Sequence, residues 1–144
     1  MEKNLVHNHQ KLATIILCID YRFWPDVLPV LENKYGKFDL IEVAGASKNI
    51  ASPNKISDRE YIISNIETSV NLHHTKNIVL TNHIDCGAYG GSKSFNSKDE
   101  EIIFHTQELE KSGEIIKKKF PSHKIDKILI DHDGEGKILL ITIK

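Results

Sequence analysis

The sequence predicts an α/β fold: an open, mainly parallel sheet of four strands with an antiparallel fifth edge strand, and helices on both faces. Three observations carry this expectation. Apolar runs of strand length alternate along the chain with segments of helical period, the order that lays parallel strands side by side through right-handed crossovers. The last two apolar runs, KILID from Lys127 and KILLITI from Lys137, are separated only by His132-Asp133-Gly134-Glu135-Gly136. That spacer is too short for a crossover helix, so the final strand must turn back antiparallel. Finally, 144 residues are enough for one domain, 1–144, with a core that needs no disulfide or metal staple.

Each element has its own signal. Residues 12–19 (LATIILCI) form a nearly continuous apolar run, as a strand buried on both faces requires. Trp24 to Tyr35 reads as a helix, with Pro25 near its start, Gly36 past its end and Pro29 expected to weaken or kink it. FDLIEVAG, from Phe38, is a second strand running into a small-residue turn. Ser57 and Glu60 have the spacing of a capping box, and behind them Ile62, Ile66, Val70 and His73 fall on one helical face. NIVLTNH, from Asn77, is the third strand. Ser97 and Glu100 form another capping box, opening a long helix through Ile102, Ile103, Leu109, Ile115 and Ile116 to Phe120, where Pro121 stops it. No repeat or low-complexity tract interrupts this order.

Charge and composition exclude several functions. Nineteen basic and twenty acidic side chains leave a net charge of −1, without the basic excess of a nucleic-acid binder or a basic amphipathic stretch for a membrane surface. The apolar run near the start soon reaches Asp20 and Arg22, too short and badly flanked for a signal peptide or a membrane span. A soluble cytoplasmic protein is expected. Its two cysteines should then be reduced thiols, available for metal binding or catalysis.

In open α/β sheets, ligands bind beyond the carboxyl ends of the strands. Cys18-Ile19-Asp20-Tyr21-Arg22 ends the first strand and His83-Ile84-Asp85-Cys86-Gly87 ends the third, so both clusters are expected at the same sheet edge. Two thiolates and an imidazole suit zinc, and three protein ligands leave a fourth position for the water of a catalytic site. Zinc makes hydroxide available near neutral pH. On residues alone the bland reading stands beside this one: Cys18 is also what a small core hydrophobe looks like, and a His-x-x-Cys step arises by chance. Asp20, two residues from Cys18, either takes the fourth zinc position or is held back by Arg22 to accept a hydrogen bond from the zinc-bound hydroxide. The alternative is a loop ion pair of little consequence. Gly87 is either a turn glycine or a donor whose N–H faces a substrate oxygen.

These paired motifs, Cys18-Ile-Asp20-Tyr-Arg22 and His83-Ile-Asp-Cys86-Gly87, resemble the signature of the β-class carbonic anhydrases, and ILIDHDGEGKILLI is similar to that family's closing hairpin. The resemblance implies zinc held by Cys18, His83 and Cys86, with reversible hydration of carbon dioxide to bicarbonate. In it, a zinc-bound hydroxide attacks carbon, Asp20 orients that hydroxide, Arg22 holds Asp20 and the Gly87 N–H meets substrate. It further implies a homodimer or higher homo-oligomer, and a substrate-positioning glutamine for which Gln10 is the candidate. Two departures stand out. Tyr21 occupies a place usually given to serine or alanine, where a phenol would crowd the site or point elsewhere. Glu42-Val43 precedes Ala44-Gly45 where the family has Arg-Asn. Three alternatives therefore remain: a hydrolase of carbon disulfide or carbonyl sulfide, a non-catalytic zinc-binding relative, or a structural zinc that Asp20 never leaves.

The remaining candidates have plainer readings. His7 and His9 lie in a polar segment, and His73 and His74 close a helix where a cation complements the dipole. His105, His123 and His132 show no partner pattern. Asp85 is expected to stabilise the ligand loop, and Tyr89 with Gly90-Gly91 to form a loop beside it.

Overall fold

The structure, a computed structural model, describes residues 12–144. Its elements are β1 (Ala13–Leu17), α1 (Trp24–Tyr35), β2 (Phe38–Glu42), α2 (Lys48–Ala51), α3 (Ile56–His73), β3 (Asn77–His83), α4 (Lys98–Lys119), β4 (Lys124–His132) and β5 (Ile138–Ile143), with 3-10 turns at Gly87–Tyr89 and Ser92–Ser94. The strands form one five-stranded sheet in the order β2-β1-β3-β4-β5. β2, β1, β3 and β4 are parallel, and β5 pairs antiparallel along β4, as the short final spacer predicts.

Alternation along the buried strands sorts side chains onto two faces. From β1, Ala13, Ile15 and Leu17 meet Val27, Leu31 and Tyr35 of α1, joined by Val79, Ile128 and Ile130. The opposite face takes Ile16, Cys18, Ile78, Leu80 and Leu129, covered by Ile50 of α2, Ile62 and Ile66 of α3, and Leu109 and Ile116 of α4. Helices thus lie on both faces of the sheet. All five residues of β1 are buried, which explains why its sequence is a continuous apolar run.

Several boundaries differ from expectation for identifiable reasons. α3 begins two residues before Ser57-Asp58-Arg59-Glu60 allows: Lys55 is its N-cap, and Asp58 accepts the Lys55 backbone N–H at 3.3 Å. The acidic partner of the cap is therefore Asp58 and not Glu60. Ser97 caps α4 as expected, accepting the Glu100 N–H at 3.1 Å. α1 runs unbroken from Trp24 to Tyr35 with Pro29 inside it and on its exposed side. β4 starts at Lys124, before its apolar run, because pairing with β3 begins at Asn77↔Lys124. The short α2 has no signal beyond small residues in the turn after β2.

The buried face of α4 is not the apolar stripe its sequence advertises. Ile103 is 58% exposed, while Glu101, His105, Glu108 and Ser112 are buried with Leu109 and Ile116.

Candidate metal centre

β1 and β3 are neighbours running the same way, with Ile16 beside Leu80, so their carboxyl ends finish side by side. Cys18 follows β1 directly, His83 is the last residue of β3, and Cys86 lies three residues on. The structure brings the three together: their candidate ligand atoms all lie within 4.8 Å of one another, and all three side chains are buried.

The surroundings fit a metal ion. His83 Nδ1 is 2.8 Å from the Ile84 carbonyl, a contact that places the ring proton on Nδ1 and leaves Nε2 as a lone pair. That Nε2 is buried and has no hydrogen-bond partner, a costly state for an imidazole unless a cation completes it. The Gly45 N–H points at Cys18 Sγ from 3.4 Å. The neighbouring Cys86 thiol, with help from His83 and the Gly45 N–H, lowers the pKa of the Cys18 thiol below its ordinary value. Cys86 moves upward for the reciprocal reason, with burial adding to it. A metal ion bound here would take both sulfurs as thiolates. Two sulfurs and one imidazole nitrogen are a zinc donor set with one position open.

The Gly45 contact explains a glycine the sequence left as a turn signal. Gly45 sits at φ 80° in the loop after β2, and a Cβ there would lie 2.9 Å from the Ala88 Cβ. The loop can close over Cys18 only with glycine at this place.

Asp20 and Arg22 are paired, the second of the two arrangements the sequence leaves open. Arg22 Nε donates to both Asp20 carboxylate oxygens at 3.1 and 3.2 Å, Nη2 donates to Oδ2 at 2.6 Å, and the Arg22 backbone N–H donates to Oδ1 at 2.9 Å. The guanidinium holds Asp20 below the usual carboxylate range. Arg22 also reaches the second motif, with Nη1 donating to Asp85 Oδ2 at 2.7 Å and Nη2 to the Asp85 carbonyl at 2.8 Å. Asp85 is itself held low, first by the Ser92 N–H and then by Arg22. Asp20 Oδ2 stands 3.7 Å from His83 Nε2, within the site but turned onto Arg22.

Gly87 lines a cavity of about 440 Å³ with Arg22, Asp85, Gly90, Gly91 and Lys93. A Cβ at Gly87 meets nothing within 4 Å, so packing does not demand glycine there. Tyr21 is 79% exposed. Gln10 lies outside the described residues.

The histidines without a sequence pattern acquire partners. His132 Nε2 lies 3.1 Å from the Arg22 carbonyl, and the Phe23 ring lies between His83 and His132 with centroids 4.2 and 4.3 Å away. His123 Nε2 meets the Thr75 carbonyl at 2.9 Å. His73 pairs with Asp39 at 2.7 Å, so the helix dipole is not its only partner. Behind the ligand loop a polar network was not anticipated. Glu101 takes the Asp85 N–H and the Ser92 hydroxyl, and Glu108 takes the Tyr89 and Ser52 hydroxyls. Their spacing, Glu101, His105, Glu108 and Ser112 on one α4 face, was a helical stripe in the sequence, but a polar stripe ordinarily means a solvated face.

A sheet in this order, with a Cys-His-Cys cluster and an Asp–Arg pair at the carboxyl ends of its first and third strands, defines an α/β protein of carbonic anhydrase architecture with a candidate metal site. The family model described as "Putative carbonic anhydrase" matches residues 8–140, and the chain belongs to that family, as a divergent member of the β-class carbonic anhydrases. An uncharacterized protein of Rickettsia conorii is 33% identical over 126 residues, covering 83% of this chain and 67% of the relative. One from Rickettsia bellii is 32% identical over 126 residues, covering 83% and 76%. Among solved structures, a carbonic anhydrase from Glaciozyma antarctica superposes with a TM-score of 0.60 at 17% identity, over 94% of this chain and 83% of that one. A tetrameric β-carbonic anhydrase from Sordaria macrospora gives 0.60 at 17%, over 90% and 79%. A β-carbonic anhydrase from Trichomonas vaginalis gives 0.58 at 17%, over 94% and 84%. At such identities the shared property is the fold.

Proposed function

We propose that this chain is a zinc-dependent carbonic anhydrase that interconverts carbon dioxide and bicarbonate. The observation that carries the reading is the buried, unpartnered His83 Nε2 beside Cys18 and Cys86, with Asp20 held off it by Arg22. Cys18, His83 and Cys86 would hold the zinc ion, which when bound supplies Lewis-acid activation of water at neutral pH.

The chain's own residues do the rest. The Ile84 carbonyl fixes the His83 tautomer, and the Gly45 N–H steadies the Cys18 sulfur. Asp20, kept as a carboxylate by Arg22, is an acceptor that orients a reacting hydroxyl, while its bonds to the guanidinium keep it from ligating. The cavity in front of Arg22 and Gly87 admits a small substrate, and the Gly87 N–H is the donor assigned to its oxygen. The exposed placement of Tyr21 supports access over occlusion. The tetrameric Sordaria macrospora relative favours a homo-oligomer for this chain. A cytoplasmic location fits two free cysteines; no helix among the described residues is long and apolar enough to cross a membrane.

The test is stopped-flow carbon dioxide hydration by the zinc-loaded protein at pH 7 and pH 8.5. Zinc-dependent turnover at either pH supports the reading. Absence of turnover at both, with zinc confirmed bound, refutes it, and carbonyl sulfide in the same assay then separates a related hydrolase from a non-catalytic zinc protein.

A further inference from the structure

Glu101, in the first turn of α4, is 1% exposed, yet its carboxylate serves the ligand loop. One oxygen accepts the Asp85 backbone N–H at 2.7 Å, and the other accepts the Ser92 hydroxyl at 2.8 Å. The Ser92 N–H in turn donates to Asp85 Oδ1 at 2.8 Å. Asp85 stands at φ 61°, a left-handed conformation that aspartate enters more readily than most side chains but that local hydrogen bonds must still support. Gly91 packs against the same carboxylate, since a Cβ there would lie 3.0 Å from Asp85 Oδ1. The other side of Asp85 supplies two of the acceptors on Arg22, its carbonyl and Oδ2, and Arg22 holds Asp20. An unbroken chain of hydrogen bonds thus runs from Glu101 through Asp85 and Arg22 to Asp20, ending 3.7 Å from His83 Nε2.

We propose that Glu101 is a positioning residue: it fixes Asp85 so that Arg22 can hold Asp20 back from the open position of the metal. It touches neither metal nor substrate. Without it, the Asp85 N–H loses its acceptor and Asp85 loses its reason to stay left-handed. Its carbonyl and carboxylate then leave the places where Arg22 finds them. The Arg22–Asp20 pair, anchored at one end only, becomes free to swing, and an ion held by Cys18, His83 and Cys86 would be a competing cationic partner for Asp20, which already stands 3.7 Å from His83 Nε2. This inference rests on the metal reading of those three residues but not on carbon dioxide as substrate.

The test therefore uses the cobalt(II)-loaded full-length protein, with azide as a probe of the open metal position followed by visible absorption. Wild type should bind azide. Glu101→Ala should bind cobalt in the same stoichiometry but azide about tenfold or more weakly, the scale on which outer partners of a metal site act. Adding Asp20→Asn to Glu101→Ala should restore azide affinity, because the competing carboxylate is gone; a merely structural role for Glu101 predicts no such rescue. Glu101→Gln, which keeps an oxygen for the Asp85 N–H, should fall between wild type and Glu101→Ala, and it carries the comparison if Glu101→Ala does not fold. Unchanged azide affinity in a folded, cobalt-loaded variant overturns the proposal, as does weakened affinity that Asp20→Asn does not rescue. Failure of wild type to take up cobalt overturns the metal reading itself, a distinguishable result.

Discussion

Mild acid should destabilise this protein through His105. The ring is 0% exposed, packed edge-on against Tyr89 at 5.0 Å between centroids, with Asn82 Nδ2 3.3 Å from Nδ1. Its Nε2 has no hydrogen-bond partner, and the nearest charge is Glu101 Oε1 at 3.9 Å. Burial, only partly offset by Glu101, lowers its pKa from 6.5 to about 4. The unfolded chain therefore takes up a proton near 6.5 that the native state refuses until about 4. Where the unfolded state binds more protons, stability falls as pH falls, so the loss runs from about 6.5 down to about 4 and then levels off. Between pH 7 and pH 5 it amounts to about 2 kcal/mol, from about 1.4 kcal/mol per pH unit once the unfolded histidine is charged. Urea unfolding of the zinc-free protein at pH 7, 6 and 5, beside His105→Gln, isolates the effect. Carboxylates held low by partners, such as Asp20 and Asp85, lose their contribution mostly below this range, and the Cys18–Cys86 pair affects both proteins alike. The variant should lose about 2 kcal/mol less than wild type over the interval. Equal losses would show that His105 titrates normally and that its burial carries no electrostatic cost.

Two further expectations concern the metal site. Cys18→Ser, His83→Gln and Cys86→Ser should each reduce zinc content, measured by mass spectrometry of the desalted protein, from stoichiometric to near none; near-stoichiometric zinc in all three would remove the site. Gly45→Ala and Gly87→Ala should behave differently although both flank ligand cysteines. The first forces a side chain to φ 80° and against Ala88, at about 1–3 kcal/mol, and weakens zinc binding through the Gly45 N–H on Cys18. The second enters open space and should stay within about 0.5 kcal/mol of wild type. Equal effects in chemical unfolding would contradict the packing described.

The sheet was legible because its central strands, β1 and β3, are buried on both faces and so written as largely apolar runs. Residues 12–19 and the stretch from Asn77 needed no periodicity argument, and the five-residue spacer before β5 settled its direction. The meeting of Cys18, His83 and Cys86 was legible for a related reason: parallel neighbours bring residues at the ends of separate strands together, so two motifs more than sixty positions apart describe one place. Boundaries governed by pairing or by a single side chain were not legible. Where β4 starts depends on its partner strand, and which acid caps α3 depends on where the chain enters the helix.

The support of the site was hidden for a deeper physical reason. A buried polar group is tolerable only when its partners are in place, and the partners of Glu101, His105 and Glu108 come from the ligand loop, β3 and the turn after α2. Taken along α4 alone, these residues form a stripe indistinguishable from a solvated face; only the packed loop turns it into an interior. The arrangement gives up apolar burial along part of the longest helix and gains directional contacts that set backbone positions behind the metal ligands. A leucine at Glu101 could fill its space, but it could not accept the Asp85 N–H. Asp85 in its left-handed conformation is what lets Arg22 bridge the two motif loops. The polar side of α4 is thus better understood as part of the site's scaffold than as a defect in the core.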